Sequence, residues 1–111
     1  MTVTVKNLIP AKQAEALQTA QYTANGCKVI IDKFTATNTS AANVALSVNL
    51  IAQGGVAGTN NLVVKTRFVA PGETYTFPEL VGQSLGDGGI ISTIASAANS
   101  LTIVASGREI T

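Results

Sequence analysis

Asn43-Val44-Ala45-Leu46-Ser47-Val48-Asn49-Leu50-Ile51-Ala52 decides the fold class. Val44, Leu46, Val48 and Leu50 fall on one parity, and Asn43, Ala45, Ser47 and Asn49 on the other. Successive side chains of a β-strand point to opposite faces, so this alternation predicts a half-buried strand. The same period recurs outward from it. Over residues 62–68 the predicted inward set is Leu62, Val64 and Phe68, with Lys65 and Arg67 opposite. Tyr75 and Phe77 alternate with Thr74 and Thr76 until Pro78, which ends a strand or marks an edge. Leu101, Ile103 and Ala105 alternate with Thr102 and Ser106, and Val104 on the polar parity implies that this face is partly covered. In residues 27–38 the parity changes from Cys27, Val29 and Ile31 to Phe34 and Ala36. One inserted residue flips the facing of a strand, so a bulge is predicted near Asp32–Lys33.

Turn chemistry separates these runs. Asn25-Gly26 favours a turn with positive φ, and Ala70-Pro71-Gly72-Glu73 puts Pro and Gly where a type II turn wants them. Residues 54–58 and 86–89 are glycine-rich loops. Ser40-Ala41-Ala42-Asn43 recurs as Ser96-Ala97-Ala98-Asn99, each between two strand-like runs, and reads as the same good turn used in two hairpins. About seven to eight short strands at even spacing predict an all-β sandwich or small barrel. Helix-forming composition is confined to residues 11–17, after Pro10, where either a turn or two of helix or a continuing extended arm fits. Residues 1–19 therefore read as an N-terminal arm and residues 20–111 as the β domain.

Composition narrows the function. The chain is 46% hydrophobic but only 5% aromatic, so the core is built from Val, Ile, Leu and Ala. Charged residues are 12%, about half the usual share, which leaves surfaces that are polar yet cheap to desolvate against a partner. The seven basic residues are scattered, with only Lys65 and Arg67 on one strand face, so the concentrated basic stripe needed for nucleic acid is missing. A single cysteine, Cys27, forms no intrachain disulfide or multi-cysteine metal cluster and reads as a small apolar strand residue. No apolar run approaches the ~18 residues of a membrane span, and the first residues carry no signal-peptide core. Synthesis in the cytoplasm is expected, with no membrane partner.

Catalysis is not expected. Histidine, the commonest general base and metal ligand, is absent. Glu15, Asp32, Glu73, Glu79, Asp87 and Glu109 fall in different predicted elements, several beside turns, and read as solvated carboxylates. The glycines of residues 54–58 lack the Gly-Lys-Ser/Thr ending of a phosphate loop. The loop Gly86-Asp87-Gly88-Gly89 offers calcium one carboxylate where six or more oxygens are needed. No cofactor is expected, and the polar, weakly charged surface points to a binder of other proteins.

A resemblance sharpens this. From Gln21 to the C-terminus the order runs Tyr22-Thr23-Ala24, Val29-Ile30-Ile31-Asp32-Lys33, Thr37-Asn38-Thr39-Ser40, Ala70-Pro71-Gly72-Glu73-Thr74-Tyr75 and Ser106-Gly107-Arg108-Glu109-Ile110-Thr111. It resembles small β-sandwich modules of tailed-phage virions, and most of all the capsid decoration (cement or staple) proteins of short-tailed bacteriophages. The resemblance implies a jelly-roll-like β-sandwich on the outer surface of the virion, a homodimer that bridges and stabilises the major capsid protein. Related modules serve in phage necks and tail fibres, so a host-surface-binding module is the alternative. The β-branched alternation of Thr2-Val3-Thr4-Val5, with Leu8-Ile9-Pro10 behind it, suits a strand added to a partner. Val3, Val5, Leu8, Ile9 and Pro10 are thus the candidate capsid contacts. The same residues read equally well as a frayed terminus or as the first strand of the domain's own sheet.

Overall fold

The alternating segment after Asn43 forms a strand inside a sheet, with neighbours on both sides. A computed structural model describes all residues 1–111. Nine strands follow in chain order: β1 (Val3–Gln13), β2 (Thr19–Thr23), β3 (Lys28–Asn38), β4 (Val44–Ile51), β5 (Leu62–Val69), β6 (Thr74–Thr76), β7 (Ser84–Leu85), β8 (Ile90–Ala95) and β9 (Leu101–Ile110). There is no helix; residues 11–13 continue β1 and residues 14–18 turn the corner into β2. One sheet has the order β1-β9-β3-β6, with β7 also on β3, and the other has β2-β8-β4-β5; every pairing is antiparallel.

The two orders match position by position: β1 with β2, β9 with β8, β3 with β4, β6 with β5. Four connections (β1 to β2, β3 to β4, β5 to β6, β8 to β9) therefore pass from one sheet to the other at one end of the sandwich. This is the eight-strand jelly roll, with β7 as a short addition beside β6. The pairing of β3 with β9 carries over the corner into that of β4 with β8. Thr39 N–H donates to the Ser100 carbonyl (2.8 Å) and Ser96 N–H to the Ala45 carbonyl (2.9 Å) at the crossing. The two Ser-Ala-Ala-Asn turns are thus not hairpins. They are adjacent sheet-crossing corners, and they share a sequence because they solve the same bend side by side.

The inner faces meet in one core of Leu8, Ile9, Val29, Ile31, Phe34, Leu46, Val48, Ile91, Leu101, Ile103 and neighbours. Burying each such side chain is worth about 1.5–3 kcal/mol. Phe34 and Phe77 pack edge to face with centroids 5.2 Å apart, and Tyr75 meets Phe77 in the same edge-to-face manner at 4.8 Å. In β3 the expected bulge is present: Ile31 pairs with Gly107 and Lys33 with Ser106, leaving Asp32 unpaired. Its carboxylate is held by Arg108 through two bonds of 2.9 and 3.1 Å. In β5 the expected facing is corrected. Leu46 pairs with Arg67 and Val48 with Val64, so β5 carries an extra residue, and Thr66 there has φ 52°. The bulge turns Phe68 outward (58% exposed) and brings Val69 into the core.

The N-terminal segment is likewise part of the fold. β1 pairs with β9 along its length, and Leu8, Ile9 and Ala14 sit in the core. No structural boundary falls at residue 19, because the "arm" supplies an outer strand of the first sheet and part of its hydrophobic interior.

Candidate protein-binding surface

Each of the six acids has a structural partner. Glu15 accepts from Gln21 (2.8 Å) and Lys12 (2.9 Å), which hold its carboxyl below the usual range, the Gln21 bond foremost. Asp32 holds Arg108, Glu73 accepts from the Ala70 N–H (2.8 Å) in its turn, and Asp87 accepts from Gly26 N–H (2.8 Å). Tyr75 donates to Glu79 and Tyr22 to Glu109. No three His, Cys, Asp or Glu side chains converge as a metal site would require. Cys27 is buried and unpaired, beside the Tyr22 hydroxyl. Of the cations, Arg67 lies 3.9 Å over the Tyr75 ring, closing the gap between the edge strands β5 and β6. The exposed surface is the remaining candidate for a functional site.

The five candidate contact residues divide. Leu8 (3% exposed) and Ile9 (0%) are core residues and cannot touch a partner while the domain is folded. Val3 (50%), Val5 (84%) and Pro10 face solvent on the outermost strand. Two register shifts in β1, between Lys6 and Ile9 and between Ile9 and Lys12, account for the division. The Asn7 side-chain nitrogen, in the orientation its surroundings require, donates to the Ala105 (3.0 Å) and Ile9 (3.1 Å) carbonyls and braces the first shift. Pro10 sits near the second, where an edge strand tolerates it.

Two further exposed features escaped the sequence reading. Phe68 stands out on the second sheet, displaced there by the Thr66 bulge, for which the sequence carries no signal. The other is the bracing of the long loop of residues 52–61, which contains the glycine-rich stretch 54–58. Asn61 accepts from Asn49 (2.7 Å) and from Gly58 N–H (3.1 Å), and donates to the Val56 carbonyl (2.8 Å). Asn49 is buried on the outer face of β4 and also donates to the Gly58 carbonyl (3.1 Å). The loop thereby holds Val56 out as an exposed apolar tip over an open depression of about 660 Å³. A repeated asparagine at the loop foot was the only available cue.

No protein-family model and no curated protein sequence matches the chain. Among solved structures it is similar to a chain in the structure of infectious bursal disease virus, Gx strain, with a TM-score of 0.55 at 15% identity. The likeness covers 98% of this chain and 33% of the viral one, so the whole fold corresponds to about a third of a longer protein. At this identity the likeness supports the jelly-roll-like architecture.

Proposed function

We propose that the chain is a virion structural protein, a decoration protein that sits on the outer surface of a phage capsid and bridges neighbouring major capsid proteins. One observation carries the reading: the whole chain is a single jelly roll whose six acids are all engaged within the fold and whose surface carries few charged side chains. A decoration protein acts by adding interface across joints between shell subunits, which stabilises the assembled shell through binding to its folded state. A sandwich with only 12% charged residues brings little charge to desolvate at such an interface. The resemblance to phage decoration proteins and the likeness to a viral chain point the same way, and a homodimer on the shell belongs to the same reading. No catalytic step is assigned. The test is to compare particles assembled with and without the protein. Depleted particles should form shells yet release their genome at lower temperature, with recovery on adding the protein back. Equal heat stability of the two would contradict the proposal.

A further inference from the structure

The four edges of the sandwich are not equally open. A sheet edge offers unpaired N–H and C=O groups to any extended chain, and bulges, proline, charge or shortness block it. β2 is bulged between Ala20 and Tyr22. β5 carries register shifts on both sides of Val48's partner, together with Lys65 and Arg67. β6 and β7 have three and two residues. β1 is blocked from Asn7 onward by its two register shifts and Pro10, but from Thr2 to Lys6 its ladder with β9 is unbroken.

The hydrogen-bond parity of that stretch is fixed. Thr2 and Thr111 exchange both backbone bonds at 2.9 Å. Bonded and non-bonded pairs alternate along an antiparallel ladder, so Thr4–Glu109 and Lys6–Gly107 are bonded pairs. Val3 and Val5 then direct their own N–H and C=O groups away from β9, toward solvent. The open edge is thus two donors and two acceptors, flanked by the two exposed valine side chains.

We propose that this edge pairs with the same edge of a second copy, about a two-fold axis through Thr4. It rests on the reading of the chain as a dimeric surface module and names the interface. The set is self-complementary. With the axis at Thr4, Val3 of each copy lies opposite Val5 of the other, and the four outward groups on each chain form four N–H···O bonds with none left over. Residues opposite one another point to the same face, so the four valines cluster there, while the two Thr4 side chains meet on the other face as a cross-strand pair. Lys6 lies opposite Thr2, so no like charges face each other. The isologous contact joins the two β1-β9-β3-β6 sheets into one. So short a pairing buries far less than the roughly 800 Å² per partner of a stable complex, so association in free solution is weak and concentration-dependent.

Proline separates this interface from the fold. Val5→Pro removes an outward donor and leaves the β1–β9 bonds intact, whereas Thr4→Pro removes a bond to β9. Sedimentation of the full chain over a rising concentration series should show reversible dimerisation. Val5→Pro should weaken it at least tenfold with little change in melting temperature. Amide exchange at Val3 and Val5 should slow with concentration in the native protein. As a geometric check, Thr4→Cys should form an intermolecular disulfide under mild oxidation, since non-bonded pairs bring Cα atoms to about 4.5 Å, and Val5→Cys should form it poorly. A dimer that Val5→Pro leaves intact would overturn the edge while leaving a dimer by another surface. Val3 and Val5 amides that stay unprotected at every concentration, and become protected only on capsids, would overturn the second copy as occupant in favour of a capsid strand. Neither result bears on the heat stability of depleted particles, which tests the capsid reading separately.

Discussion

Gly107 is the position where one added methyl group should cost most. It lies in β9 opposite Ile31, beside the β3 bulge, and a Cβ there would stand 2.2 Å from the Ile30 carbonyl oxygen and 2.9 Å from Leu8 Cδ1. The leucine carbon can rotate away. The carbonyl belongs to the backbone of the adjacent strand, and an ordinary carbon–oxygen contact needs about 1 Å more room than this. Gly107→Ala must therefore part β9 from β3 locally, stretching one or two ladder bonds worth about 0.5–1.5 kcal/mol each. Overpacking strain adds about 1–3 kcal/mol, and the lower entropy of unfolded alanine returns about 0.4–1 kcal/mol. The net loss is about 2–4 kcal/mol, which for a domain of this size lowers the melting temperature by about 10–20 °C. Thermal and urea unfolding followed by circular dichroism measure it. Gly86→Ala, with no atom within 4 Å of the added carbon, serves as the control and should shift stability by less than about 0.5 kcal/mol. A Gly107→Ala protein as stable as the control would refute the close approach of β9 to the bulged strand.

Three other perturbations probe separate parts of the molecule. Asn38 is buried at the corner, donating to the Ala42 (2.7 Å) and Val69 (2.8 Å) carbonyls and accepting from Ser40, so Asn38→Ala orphans buried backbone groups and should cost about 2–4 kcal/mol in denaturant unfolding. Thr66 holds positive φ with a β-branched side chain, and Thr66→Gly should stabilise by about 1 kcal/mol, a gain that a destabilised variant would contradict. Tyr22 is raised well above the ordinary 10, by burial first and then by its bond to Glu109. A raised folded value favours the protonated phenol. Its stabilisation is whole below pH 10 and drains away as pH rises beyond it. Phenolate absorbance should show Tyr22 ionising only as the fold is lost, and Tyr22→Phe should flatten the alkaline fall in stability.

Most of the architecture was legible because strands obey a period of two wherever nothing is inserted. Val44, Leu46 and Val48 of β4, the inward residues of β9, the β3 bulge and the turns at Gly26 and Gly72 follow from that rule and from the φ preferences of glycine. β4 is covered on its other face too, where Ala45 and Asn49 are buried, while Leu50 is only partly so. The failures have physical causes. Strict alternation places Phe68 inward because a bulge at a threonine leaves no mark, unlike one at glycine. The corners passed for hairpins because a turn sequence fixes the local bend and not which sheet the next strand joins. Leu8 and Ile9 were legible as apolar but not as core, since the same β-branched pattern suits a strand of the domain's own sheet and one lent to a partner. Of the candidate contacts, Val3 and Val5 could be found by pattern, yet their outward backbone parity depends on the Thr2–Thr111 pair at the far ends of the chain.

Location on the particle tests the central claim most directly. An electron-microscopy reconstruction of purified virions carrying this protein should show the jelly roll on the outside of the shell, over joints between major capsid subunits. Shell symmetry multiplies each surface site, so the count should be on the order of hundreds of copies. A reconstruction with the protein confined to the neck or tail, or missing from the particle, would contradict the capsid role.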